Sequence, residues 1–199
     1  MNLSSEQVHW IFGGILLAVT GTLILRDVGG LRARWVDYLL PALLAAFGIE
    51  MLLDPLVHGA AAPANYGPET AQHFILGLLL IAVAGAEGTR TWRGATGLAW
   101  RLPLAAALAI AAAAFWFHAQ HDSSAPMILL ITQHRMIATI LAVSAAAALA
   151  DPLAGGQRRQ PPALAYLALL LALQLLVYTE GGSLFGTTWS QPMQMGASG

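Results

Sequence analysis

Apolar residues along this chain gather in long runs separated by short polar segments. Taking runs of roughly 17 to 23 residues as bilayer-spanning helices, the pattern predicts spans near 8–25, 36–54, 70–87, 98–118, 127–150 and 162–180. The first run has no basic segment ahead of it and ends at Arg26-Asp27, where a signal peptide would carry small residues for cleavage, so it reads as a retained span. The expectation is an all-α, polytopic membrane bundle of about six transmembrane helices, forming one transmembrane domain over residues 1–199.

Composition agrees. The chain is 57% hydrophobic and 10% charged, a balance unsuited to a water-soluble fold of this size. Its nine basic residues are all arginine, and with ten acids they leave a net charge of −1, which provides neither a basic tail for nucleic acid nor a polybasic lipid patch. Partners are expected in or beside the bilayer: lipid, other membrane subunits, or a periplasmic carrier of metal or electrons. Cysteine is absent, which excludes disulfides, iron–sulfur ligation, c-type haem attachment and thiolate metal sites. A bound metal would need His, Asp, Glu or Met.

The arginines are asymmetric. Arg26, Arg32 and Arg34 follow the first span, Arg90, Arg93 and Arg101 flank the third connection, and Arg158 and Arg159 follow the fifth span. Because arginine-rich short loops stay in the cytoplasm, both termini are expected outside, facing the periplasm if the membrane is a bacterial inner membrane. Arg135 is the exception, placed near the outer end of the fifth span to snorkel outward or pair with an acid. Asp27, Glu87 and Asp151 stand beside arginines at the inner ends and read as interfacial ion pairs.

The odd spans resemble one another. His9, His73 and His134 each open a span, with Gly13, Gly77 and Ala138 four residues on, and a Gln-His pair recurs at Gln72-His73 and Gln133-His134. Leu40-Pro41 and Leu102-Pro103 echo this in the even spans. Three repeated helical hairpins would account for these matches, as would chance in Leu- and Ala-rich helices. Small residues at the shared position would let helices approach closely.

This topology puts all six histidines on the exterior face, an outcome that is rare by chance and that a ligand site requires. His9, His73 and His134 form the first candidate set. Glu50, Asp54 and His58 recur every four residues, one stripe of a continuous helix, although Pro55 interrupts it. His118 and His121 follow the aromatic run Phe115-Trp116-Phe117, which suits an interfacial belt. Glu50 lies about one turn inside its span, where a cation or histidine would offset its desolvation. Imidazole and carboxylate suit copper, zinc, iron or nickel, and Met127, Met136 and the tail pair Met193 and Met195 weigh toward copper, since thioethers favour Cu(I). The Asp54-x-x-x-His58 step, with His73 following, is similar to the metal-ligand pattern in membrane subunits of copper-dependent particulate methane and ammonia monooxygenases. The similarity covers those three residues.

The expected function is therefore metal binding at an exterior His/carboxylate cluster, with copper uptake, storage, delivery or redox use foremost. A b-type haem subunit in quinone-linked electron transfer, with two of these histidines as axial ligands, is a second reading, set back by histidines at helix ends. A structural or assembly subunit of a larger membrane complex is a third. No nucleophile elbow, Walker loop, dinucleotide fingerprint or zinc-protease helix occurs, so hydrolase and nucleotide-dependent readings have no support, and no reaction is assigned.

Overall fold

The structure, a computed structural model, describes residues 5–29, 31, 33–57, 67–117, 127–153 and 162–179. All secondary structure among them is helical: α1 (Ser5–Asp27), a single 3-10 turn (Arg34–Tyr38), α2 (Leu39–Val57), α3 (Gly67–Arg93), α4 (Leu98–Trp116), α5 (Met127–Leu153) and α6 (Pro162–Leu176). Five of these segments are long and apolar enough to cross a membrane, and α6 is a shorter apolar helix of 15 residues. At 1.5 Å per residue α6 covers about 22 Å, less than the roughly 30 Å hydrocarbon core. The sixth expected span thus ends as a helix at Leu176, and Val177 to Thr179 leave helical geometry.

Each helix packs on two neighbours, in the cyclic order α1, α6, α5, α4, α3, α2 and back to α1. The closest pairings are α4 with α5, α2 with α3 and α1 with α6, whereas α1 and α2 barely touch. Tight pairs therefore join an even helix to the odd helix that follows it, and the last helix to the first. A cluster of Leu16, Leu43, Leu76, Ala112, Ile137, Leu141, Ala172 and Leu175 draws on all six helices. A second cluster around Leu44, Val83, Leu104, Ala107 and Ala148 joins α2, α3, α4 and α5. The outside is apolar as well, with Ile11, Ile15, Ile75, Leu78, Ile110, Val143, Leu170 and Leu173 exposed. A soluble bundle would place polar residues there, whereas a bilayer requires apolar ones.

Two of the small residues aligned in the sequence occupy tight crossings. A Cβ on Gly48 would fall 2.8 Å from the Gly77 carbonyl oxygen, and one on Gly77 would fall 2.8 Å from that of Gly48, so α2 and α3 cross backbone to backbone. Gly13 lies against Leu175 and Leu176 of α6 in the same way, and Ala138 is buried in α5.

Two boundaries differ from the hydropathy pattern for physical reasons. Helix α3 runs six residues past Glu87 to Arg93, because Glu87 pairs with Arg90 one turn on (Nη2 to Oε2 2.8 Å) and both are almost fully buried. The polar turn so continues the helix. Arg101 is buried too, in the first turns of α4. Arg90 and Arg101 thus belong to the packed end of the bundle, and Glu87 is an interior partner where an interfacial one was expected. At the same end Arg26 spans Asp27 and Asp37, 3.0 Å from each. The second is α2, which continues through Pro55 to Val57, so the proline does not end the helix at Asp54. Near a helix C-terminus a missing N–H costs one hydrogen bond and leaves little helix to break.

Two stability changes follow. Gly77→Leu should destabilise the bundle by about 1–3 kcal/mol through overpacking, measured as the unfolding midpoint in detergent, while Gly85→Ala, which meets open space, should leave it unchanged or raised. Glu87→Leu should cost about 3–5 kcal/mol by leaving Arg90 as a buried charge, and Glu87→Leu combined with Arg90→Leu should recover part of that loss.

Candidate functional site

The end of the bundle opposite the Glu87–Arg90 pair is where odd helices begin and even helices finish. Its centre is Tyr178, just past α6 and 1% exposed. The imidazole of His9, from the second turn of α1, lies flat on the Tyr178 ring, with centroids 3.8 Å apart and planes 9° from parallel. His134, from α5 and 6% exposed, meets the same ring edge-on at 6.0 Å and 88° and has Phe115 of α4 on another side at 5.8 Å. His73 of α3 is close enough to His134 to act on it electrostatically. The three histidines expected to form a set are therefore brought to one layer by α1, α3 and α5.

Hydrogen bonds hold that layer. Trp10, next to His9, donates from Nε1 to the Tyr178 carbonyl at 2.8 Å. Gln133, next to His134, takes both backbone groups of Thr179: its Nε2 donates to the carbonyl at 2.5 Å and its Oε1 accepts from the N–H at 3.1 Å. The Thr179 hydroxyl donates to Glu6 Oε1 at 2.8 Å. Gln72, next to His73, donates to the Ala114 carbonyl at the end of α4 at 2.8 Å. In both Gln-His pairs the glutamine thus ties an odd helix to the closing residues of an even one, satisfying carbonyls that a helix end leaves open. Within α5, His134 Nδ1 lies 2.9 Å from the Leu130 carbonyl. A carbonyl can only accept, so Nδ1 carries the proton and a neutral ring keeps its lone pair on Nε2.

Glu50 is half-buried in α2. With Gly48 opposite Gly77 in this antiparallel pair, Glu50 lies roughly 3 Å deeper along the axis than His73. Asp54 belongs to the last turn of α2, and the placement of its side chain lies outside the described residues. His58, His118 and His121, with Asp122, Glu180, Met193 and Met195, also lie outside them. Among the described residues no three His, Asp or Glu side chains converge closely enough to hold an ion as they stand. Arg135 turns to an aromatic ring, its guanidinium 5.3 Å from the centre of Trp116. It is the one described arginine at this end, since Arg26, Arg34, Arg90, Arg93 and Arg101 all lie at the other. Glu6 and Glu50 make the histidine end the more cation-attracting of the two.

Tyr178, Trp10, Thr179 and Glu6 were missed by sequence reasoning. A single tyrosine at the end of an apolar run reads as a belt residue, and only the recurring Gln-His pair hinted that neighbours of the histidines do structural work. No family model, curated protein or solved structure matches this chain.

If Gln133 closes α6 onto α5, Gln133→Leu should cost about 1–3 kcal/mol for the groups it leaves unpaired. Hydrogen–deuterium exchange at the Thr179 amide should accelerate at least tenfold while amides in the middle of α5 stay protected. Equal protection in both proteins would refute the clamp.

Proposed function

We propose that this chain is an integral membrane protein that binds a transition-metal ion at its histidine end, through His9, His73 and His134 with Glu50 in reserve. The observation that carries this reading is the meeting of two imidazoles, His9 of α1 and His134 of α5, on the single ring of Tyr178, with His73 of α3 close to His134, at the end of the bundle poor in arginine. Neutral imidazoles ligate through an in-plane lone pair, and the bond from His134 to the Leu130 carbonyl is the kind of outer contact that orients such a ligand. Copper stands before zinc or iron because Met193 and Met195 lie in the chain that continues from Thr179 and thioethers favour Cu(I), whereas Met136, two residues on from the buried His134, is exposed on another face of α5. Asp54, from the last turn of α2, and His58, His118 and His121 would contribute further ligands. Uptake, storage, delivery and redox use of the metal all fit.

By the arginine asymmetry this end faces the exterior, the periplasm of a bacterial inner membrane. The tight pairs α2–α3, α4–α5 and α6–α1 are the units that an internal repeat would take. Haem b held by two of the same histidines is the second reading. It gains from depth, since His134 lies seven residues into α5, about two turns.

Elemental analysis and an absorption spectrum of one purified, chelator-free sample test the proposal. Stoichiometric copper without a haem band is expected, and replacing His9, His73 and His134 together by alanine should abolish it with helicity intact. Metal retained by that triple variant would sink the assignment. A Soret band with stoichiometric iron would select haem, and neither metal nor haem would favour a subunit role in a larger complex. Acidification through the range where imidazole gains a proton, about pH 6 to 7 for an unperturbed ring, should release the ion, because proton and metal compete for one lone pair.

A further inference from the structure

We propose that Tyr178 gates the histidine set, holding His9 in a closed, stacked position from which it must turn before an ion can be ligated; this rests on the metal-binding reading above. The two rings make full face contact at 3.8 Å, and Tyr178 stands at 88° to His134. The planes of His9 and His134 are therefore close to perpendicular, and no three ligating groups converge among the described residues. A shared coordination sphere therefore needs at least one ring to turn, and for His9 the stack on Tyr178 is a contact that such a turn breaks.

The tyrosine is the fixed partner. Its ring is 1% exposed, its carbonyl is held by Trp10, and the next residue is held by Gln133 and Glu6. His9 is only partly buried. A site that is competent only when His9 is unstacked binds with an affinity reduced by the fraction of time spent unstacked. Aromatic stacks of this kind shift such equilibria about 2- to 10-fold. Tyr178 is in this sense a positioning residue: it sets how readily the site opens without itself holding the ion.

The test uses the full chain in detergent, with Cu(I) under reducing conditions competed against a colorimetric chelator. Tyr178→Leu, which keeps apolar bulk and removes the ring face, should bind about 3- to 10-fold more tightly, with the gain in the association rate, and Tyr178→Phe should restore the wild-type value. Trp10→Phe removes the bond to the Tyr178 carbonyl while keeping the ring, and should move affinity in the same direction by less, so the gate stays testable if Tyr178→Leu does not fold. A metal-free measurement accompanies these: modification of His9 by diethyl pyrocarbonate, read by mass spectrometry, should be several-fold faster in Tyr178→Leu and wild-type-like in Tyr178→Phe. Wild-type binding that Tyr178→Leu and Trp10→Phe both leave unchanged in affinity and rate overturns the gate and spares the metal site. No binding in any of the proteins overturns the metal reading, and the gate with it.

Discussion

The hydrogen bonds that close the end of α6 onto α5 and α1 are what the histidine layer depends on. A helix finishing in or near a bilayer leaves carbonyl groups that lipid cannot satisfy, and here Trp10 and Gln133 supply the donors. The same bonds tie the last helix to the first and so complete the ring of six. They also fix Tyr178 in place, and the position of His9 and one contact of His134 are defined against that ring. Loss of these bonds would release α6, the shortest of the six helices, and with it the common partner of two histidines.

Close crossings make the arrangement compact enough for those bonds to form. Backbone contact at Gly48 and Gly77 sets the separation of α2 and α3, and Gly13 lets α6 approach α1 just below the Trp10 bond. Between helices in lipid the gain comes from packing and polar contacts, because the hydrophobic effect does not distinguish a neighbouring helix from an acyl chain. Small residues four positions after each histidine therefore have a reason to be where they are. They bring the odd helices close to their partners directly beneath the layer that the Gln-His pairs secure.

Much of the architecture was legible in the sequence because bilayer thickness imposes a length on apolar runs, and five long helices stand where the hydropathy pattern put them. The extension of α3 was not legible, since it depends on Glu87 and Arg90 pairing at a spacing that in isolation looks like a polar loop. Histidines at helix starts were visible from their alignment, and His9, His73 and His134 do share a layer. The role of Tyr178 was hidden because it is set by contacts with residues more than forty positions away in sequence. The stripe of Glu50, Asp54 and His58 was read from helical spacing alone, and only Glu50 can be placed as a side chain in the bundle.

The two ends of the bundle treat charge in opposite ways, and this bears on what each can bind. At the Glu87–Arg90 end the buried carboxylate of Glu87 is already paired with Arg90, so an incoming cation would have to displace a partner whose loss is costly. At the other end the buried groups are His134, Gln133 and Tyr178, neutral side chains held by hydrogen bonds and ring contacts. On the proposed reading, a cation arriving there would meet neutral donors, with Glu6 and Glu50 at the same end to balance its charge. Breaking a ring stack is a smaller demand than breaking a buried ion pair. On that reading the histidine end is the one where an ion could enter without breaking a buried ion pair.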